Sequence, residues 1–245
     1  MYNFDAKSEV EYITNWIRHY FKDSGGPAII GISGGKDSTI TAALLARALG
    51  PDMVYGVLMP NGEQHDLDIA KEVVEYLKIP YEIINIKDIC DSYYKCFDAV
   101  PSILSINTPP RIRMSILYGI ANIRNGRVVN TCNASENTIG YSTKGGDTLG
   151  DVGILYEYYV REVLAIGREL ELPEHFITKA PEDGLTGKTD EDILGFSYET
   201  LDALMLDGIR PESEEVFANI RNRSLKNRHK LEEMPRPFPG ESEVN

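Results

Sequence analysis

The sequence predicts an α/β protein with a parallel sheet flanked by helices, and three observations carry that expectation. Apolar runs at residues 27–30, 53–59, 81–86 and 127–130 have the length and density of buried strands. Helical periodicities lie between them, as in other α/β chains. The glycine-bearing stretch Gly31-Ile32-Ser33-Gly34-Gly35-Lys36-Asp37-Ser38 joins the first run to a helix, giving strand, tight loop and helix in succession. At 245 residues the chain is long enough to form one large domain, 1–245, with residues 237–245 expected as a frayed tail.

Taken in order, residues 8–21 place Val10, Ile13, Trp16, Ile17, Tyr20 and Phe21 on one helical face, and Ser24-Gly25-Gly26-Pro27 ends that helix. After the glycine loop, Ile40, Ala43, Leu44, Ala48 and Leu49 repeat at helical spacing over 39–49. The second strand is broken by Pro60-Asn61-Gly62. A helical pattern of Ile69, Val73, Val74 and Leu77 follows; Asp66 and Asp68 are either metal ligands or, as acids in a first turn more often are, complements to the helix dipole. Gln64 falls where the second strand hands over to this helix, at the carboxyl edge where ligands of open sheets gather.

Residues 87–100 read as a helix, and a longer one is expected from Thr108 to about Asn125, with Pro109 and Pro110 in its first turn. Arg111 and Arg113 then fall near a helix N-terminus, where the dipole disfavours cations; they are either a surface pair or face a bound anion. The strand at 127–130 runs into Thr131-Cys132-Asn133-Ala134-Ser135-Glu136, which puts Thr131 and Glu136 on the same sheet edge as Asp37. Residues 140–151 are glycine-rich and aperiodic, the mark of a functional or disordered segment. A helix over 155–170 stops at Leu172-Pro173. The charged stretch 181–192, with Lys188 near its tip and a capping box from Thr189 to Asp192, reads as a mobile lid. A charged amphipathic helix at 214–226 leads into Asn227-Arg228-His229-Lys230, a basic cluster in a chain of net charge −13.

That acidic balance speaks against a broad nucleic-acid footprint. No apolar run approaches membrane-span length, and MYNFDAKSEVEY lacks the features of a signal peptide, so a soluble cytoplasmic protein is expected. Cys90, Cys96 and Cys132 form no C-x-x-C, which argues against a disulfide framework, a zinc site or a dithiol sulfur carrier.

The chemistry concentrates in the loop. A helix N-terminus offers unpaired N–H groups and positive dipole to phosphate, Gly34 and Gly35 allow close approach, and Ser33 and Ser38 add hydroxyls. A Walker A loop is excluded, because only three residues separate Gly31 from Gly35 and Lys36 is followed by Asp37 rather than Ser or Thr. An aspartate beside polyphosphate repels its ligand unless a cation lies between them. Asp37 therefore calls for Mg²⁺, and Glu136 is a candidate second carboxylate for its shell.

The loop resembles the SGGxDS pyrophosphate-binding loop of the N-type ATP pyrophosphatases, which cleave ATP between the α- and β-phosphates. From about residue 8 to 237 the chain resembles one branch of them, the ammonia-dependent NAD⁺ synthetases. The markers are residues 31–38, Arg111-Ile112-Arg113-Met114, residues 131–136, Thr143-Lys144-Gly145-Gly146-Asp147, Lys179-Ala180-Pro181, Thr189-Asp190-Glu191 with Leu194-Gly195, and His229-Lys230.

The resemblance implies an adenine nucleotide α-hydrolase-like fold and a homodimer. It also implies a reaction in which ATP adenylates the nicotinate carboxylate of deamido-NAD⁺ and ammonia displaces AMP. Carried over, Gly31, Ile32, Ser33, Gly34, Gly35, Lys36, Asp37 and Ser38 bind ATP, joined by Gln64 and Thr131. Ser33, Gly35 and Ser38 meet the β- and γ-phosphates, and Asp37 and Glu136 hold Mg²⁺. Arg111, Lys144, Asp151, His229 and Lys230 bind deamido-NAD⁺, and Asp147 serves the nicotinate and ammonia pocket.

Two positions depart from the family pattern. Val160, followed by Arg161, stands where many members have a phosphate-contacting Lys, and Glu182 stands where many have Thr. Lys188 is expected to supply the missing phosphate contact. Competing possibilities are a GMP synthetase-like amination module, a tRNA thiolase, or a non-catalytic ATP-binding module. Glutamine-dependent relatives carry an additional amidohydrolase domain for which 245 residues leave no room, so free ammonia is the expected nitrogen donor.

Overall fold

A computed structural model of the chain describes residues 4–63, 66–178 and 189–236. Its elements are α1 (Ala6–Ser24), β1 (Ala28–Gly31), α2 (Lys36–Leu49), β2 (Val54–Leu58), α3 (Asp66–Leu77), β3 (Tyr81–Ile83), α4 (Lys87–Tyr94), α5 (Ser102–Arg124) and β4 (Arg127–Asn130). There follow α6 (Ala134–Ile139), β5 (Val152–Gly153), α7 (Val160–Glu169), α8 (Glu174–Ile177), α9 (Asp190–Leu194), α10 (Tyr198–Asp207) and α11 (Glu214–Asn227), the last running into a 3₁₀ turn at Arg228–Lys230.

The strands form one parallel sheet in the order β3-β2-β1-β4-β5. Ala28 pairs with Val54 on one side and with Arg127 on the other, so β1 is central and the connections diverge from it. That divergence opens a crevice at the carboxyl ends of β1 and β4, the place where open α/β sheets take ligands.

Adjacent residues of β1 feed opposite layers, as the period of a strand requires. Ile30 joins Val10, Ile13 and Ile17 of α1, Ile40 and Leu44 of α2, and Val163 and Ile166 of α7. Ile29 instead joins Met114, Leu117 and Ile120 of α5 beneath the other face. Both isoleucines are fully buried, worth about 1.5–3 kcal/mol each in removed apolar surface. A third cluster of Ile139, Val160, Leu194, Phe196, Leu201 and Ile220 binds α6, α7, α9, α10 and α11 together beside the crevice.

Several element boundaries differ from the sequence expectation. Helix α5 begins at Ser102, so Pro109 and Pro110 lie inside it and Arg111 and Arg113 are mid-helix residues. The reason lies on the preceding helix. Pro109 has no N–H for the Ser105 carbonyl, and the Tyr94 hydroxyl donates to that carbonyl instead, at 3.3 Å. Strand β3 ends at Ile83, although Ile84 N and Ile86 N still donate to the carbonyls of Leu58 and Pro60. Helix α4 stops at Tyr94 rather than Val100, and α7 starts at Val160 rather than Leu155. The capping box at Thr189 is present: its hydroxyl accepts from Asp192 N at 3.2 Å. The tail beyond Arg236 and most of the expected lid lie outside the described residues.

Candidate active site

The β1–α2 loop is shaped by one glycine in particular. Ile32 N donates to the Val57 carbonyl at 3.0 Å, keeping the chain extended past β1, and the turn is then made at Gly34, whose φ of +80° lies in the left-handed region. Helix α2 starts at Lys36, earlier than its apolar periodicity indicated, with Gly35 as N-cap. Ser33 Oγ lies 3.1 Å from Ser38 Oγ and accepts from Gly35 N at 3.2 Å. Ser38 Oγ in turn donates to the Gly35 carbonyl at 3.1 Å. The two hydroxyls thus pin the loop across the helix N-terminus, where N–H groups and dipole favour an anion.

Opposite this loop, β4 ends and α6 begins with Asn133 as N-cap. Asn133 Oδ1 accepts from Glu136 N at 3.0 Å, and Glu136 Oε2 accepts from Asn133 N at 3.3 Å, a closed capping box. The same Asn133 donates Nδ2 to Asp37 Oδ1 at 3.0 Å. One buried asparagine therefore spans the crevice, its side-chain amide on the Asp37 carboxylate and its backbone N–H on that of Glu136. Burial, and then the neighbouring Asp37 charge, push the Glu136 carboxyl up to about 8.

A pair of carboxylates that resists joint ionisation suits a hard cation. Among the described residues no group of three or more His, Cys, Asp or Glu side chains forms a closed cage. Two carboxylates fit a Mg²⁺ ion whose remaining positions are filled by phosphate oxygens and water.

Below Asp37, Lys36 is turned inward. Its Nζ donates to Asp37 Oδ2 at 2.9 Å, and its side chain is only 7% exposed. Burial alone would lower its pKa, but Asp37, Glu136 and Asp190 outweigh that and hold it above the ordinary lysine value.

The expected dinucleotide ligands gather, with one exception, in a corner where the loop after α6 meets the end of α11. Lys230 Nζ donates to the carbonyls of Gly140 and Ser142 at 2.8 and 2.9 Å, Lys144 Nζ to the His229 carbonyl at 2.5 Å, and Arg111 Nε to the Lys144 carbonyl at 3.2 Å. The close approach of α11 needs a glycine at 140, because a Cβ there would stand 2.3 Å from that of Asn227.

Asp147 belongs to this corner. Its Oδ1 accepts from Thr143 N at 2.5 Å, while its carbonyl accepts from Asn130 Nδ2 at 2.7 Å. Protein atoms crowding the carboxyl raise its pKa, against the pull of the Thr143 N–H and the charges of Lys230 and Arg113.

Asp151 is the exception. Its Oδ2 accepts from Val128 N at 2.8 Å and its carbonyl from the Tyr20 hydroxyl at 3.1 Å, which ties it to the amino half of β4. Thr131 sits directly after β4 on the crevice edge. Gln64 and Lys188 lie outside the described residues. Arg161, beside the family's lysine position, is committed elsewhere: its Nη1 meets Asp207 Oδ2 at 2.7 Å. Arg113 is no surface pair with Arg111, since it is half-buried and donates Nε to the Met59 carbonyl at 3.0 Å.

Sequence reasoning missed Asn133 as the bridge, although an Asn three residues before Glu136 is a capping-box signature. It also missed Tyr198, whose buried ring lies under Lys36.

A parallel sheet carrying an SGGxDS loop at its switch point, with a second carboxylate on the next strand end, defines an N-type ATP pyrophosphatase. Comparison with known proteins narrows this. The family model for NAD synthase matches residues 9–235. The NH₃-dependent NAD⁺ synthetase of Thermococcus kodakarensis is 42% identical over 82% of this chain and 80% of its own. That of Methanocaldococcus jannaschii is 36% identical over 93% and 95%.

Among solved structures, NMN synthetase from Francisella tularensis superposes with a TM-score of 0.88 at 29% identity, over 96% of this chain and 99% of that one. The NH₃-dependent NAD synthetase of Campylobacter jejuni gives 0.79 at 30% identity, over 96% and 100%. The chain belongs to the NAD synthase family.

Proposed function

We propose that this chain converts deamido-NAD⁺, ATP and ammonia into NAD⁺, AMP and pyrophosphate through an adenylated nicotinate, with Mg²⁺ held by Asp37 and Glu136. The observation that carries this reading is the bridge made by Asn133, which sets the phosphate loop and the Glu136 carboxylate on two sides of one crevice beside the Lys144–Lys230 corner. When bound, Mg²⁺ supplies positive charge to the departing pyrophosphate.

The residues divide the remaining work. The N–H groups and hydroxyls of residues 33–38 hold the β- and γ-phosphates, and Thr131 and Gln64 contact the nucleotide. The side chains of Arg111, Lys144, His229 and Lys230 hold the dinucleotide so that its carboxylate oxygen reaches the α-phosphorus. That oxygen bonds to phosphorus as the bond to the β-phosphate oxygen breaks. Ammonia then attacks the acyl carbon, AMP leaves with the former carboxylate oxygen, and Asp147 takes the proton from nitrogen. Lys188 completes the phosphate contacts, and Lys188→Ala is expected to raise the KM for ATP or lower kcat. Asp151, held against β4 by the Val128 N–H, meets the dinucleotide apart from this corner. Residues 1–245 work as one catalytic domain within a homodimer.

The decisive assay incubates the purified protein with Mg-ATP, ammonium and either deamido-NAD⁺ or nicotinate mononucleotide at mildly alkaline pH. NAD⁺, AMP and pyrophosphate are expected in equal yield, lost on chelation and lost when glutamine replaces ammonium. The mononucleotide arm matters because a solved relative is an NMN synthetase. Faster turnover of the mononucleotide would move the acceptor to that class, and pyrophosphate without either amide product would reject the amidation.

A further inference from the structure

Lys36 lies in the phosphate loop at the start of α2, yet its side chain points inward and is 7% exposed. Its ammonium donates to Asp37 Oδ2 at 2.9 Å and stands 5.7 Å from the centre of the Tyr198 ring. The Tyr198 hydroxyl is itself buried without a hydrogen-bond partner among the described residues. The other Asp37 oxygen is taken by Asn133 Nδ2 at 3.0 Å. Both oxygens of the first metal ligand thus already serve protein donors, one of them fully charged.

A buried carboxylate without a counter-charge is costly, and an ammonium this close satisfies it without metal. The same ammonium repels any divalent ion that settles on Asp37, because the two cations would share one carboxylate at short range and low dielectric. A triphosphate brings enough negative charge to reverse the balance.

We propose that the Lys36 side chain is a tethered counter-cation of the Asp37–Glu136 pair that competes with divalent metal, so that the nucleotide-free site binds metal weakly and metal enters with the triphosphate. This rests on the assignment of Asp37 and Glu136 as metal ligands. Lys36 is a positioning residue in this role, acting through Asp37 rather than on substrate.

The test titrates Mn²⁺ into the full chain, reading bound metal by water-proton relaxation, with and without α,β-methylene ATP. Lys36→Met and Lys36→Gln are compared with the unmodified protein after circular dichroism confirms their fold. Without nucleotide, Mn²⁺ is expected to bind the neutral variants at least tenfold more tightly, with the difference shrinking when the analogue is present. Equal or weaker binding by a folded variant overturns the role of Lys36 while leaving the metal ligands standing. If neither variant folds, the unmodified protein decides: Mn²⁺ binding that is weaker without the analogue than with it upholds the proposal, and binding as tight without the analogue overturns it. An unmodified protein that takes up no Mn²⁺ even with the analogue, as Asp37→Asn is expected to behave, rejects the metal ligands and this proposal together.

Discussion

Glu136 carries its charge at a cost in the metal-free protein. Its carboxyl titrates at about 8 in the fold, where burial and Asp37 oppose ionisation, against an ordinary value of 4.5. Between those values the folded state holds a proton that the unfolded chain has lost, so stability is greatest at the acid end and falls as pH rises toward 8. Urea unfolding in chelator should therefore show a pH slope that Glu136→Gln abolishes, with the variant more stable at pH 8 by on the order of 1 kcal/mol even as turnover collapses. Parallel slopes for the two proteins would reject this account.

Asp147 makes a second prediction at this scale. Asp147→Asn should slow amide formation from preformed adenylate at least tenfold while altering adenylation less. An unchanged ammonia step would remove it from proton transfer. In the sequence Glu136 stands out as a carboxylate at a strand end, whereas Asp147 is singled out by the family resemblance alone. The engagement of Asp151 was not legible there, because its carboxylate is met by the backbone N–H of Val128 and by the Tyr118 hydroxyl of α5, partners remote in sequence that no motif displays.

The elements around the site are locked by a buried acid outside it. Asp202 of α10 is 1% exposed; its Oδ1 accepts from Ser135 Oγ at 2.6 Å and its Oδ2 from Arg161 N at 2.8 Å. Ser135 Oγ accepts in turn from Val160 N at 2.9 Å. One side chain thereby caps the start of α7 and fixes α6, the helix that carries Glu136. Asp202→Ala strands a hydroxyl and an N–H in the interior and should cost about 2–4 kcal/mol, seen as a lowered urea midpoint with an unchanged slope. A loss below about 1 kcal/mol would mean that water replaces the carboxylate without penalty.

Helix α10 was not read from the sequence, and Asp202 shows why. Its buried side includes a charged residue, which breaks the apolar stripe that periodicity detects. Helix α5 was misread for the opposite reason. Its prolines gave a true local signal, which the remote Tyr94 hydroxyl overrides by meeting the carbonyl that Pro109 leaves open.

Across the whole molecule, four strands were visible as apolar runs, but their order was not, since register and neighbour choice depend on contacts far apart in the chain. Strand β5, only two residues long, is too short for any periodicity to show. The apolar, tyrosine-rich stretch 154–160 has a composition that suits an interface as well as a core. Ile154, Leu155 and Val160 go to the core, being 5%, 0% and 8% exposed.

The candidate interface shifts to their neighbours on α1. Tyr12 is 61% and Trp16 40% exposed, and Trp16 stacks on Tyr20 with ring centres 5.5 Å apart. Tyr12 and Trp16 line a hollow of about 420 Å³ together with Phe4, Tyr158 and Leu206. Large aromatic rings left in water on a charged helix are what an interface core is made of. If the homodimer forms through this face, Trp16→Glu places two buried charges across the symmetry axis and should convert a sedimenting dimer to monomer at micromolar concentration. Its far-ultraviolet spectrum should stay unchanged, because neither Tyr12 nor Trp16 belongs to the core. A Trp16→Glu chain that still sediments as a dimer would move the interface to another surface, and an unmodified chain that sediments as a monomer would remove the dimer altogether.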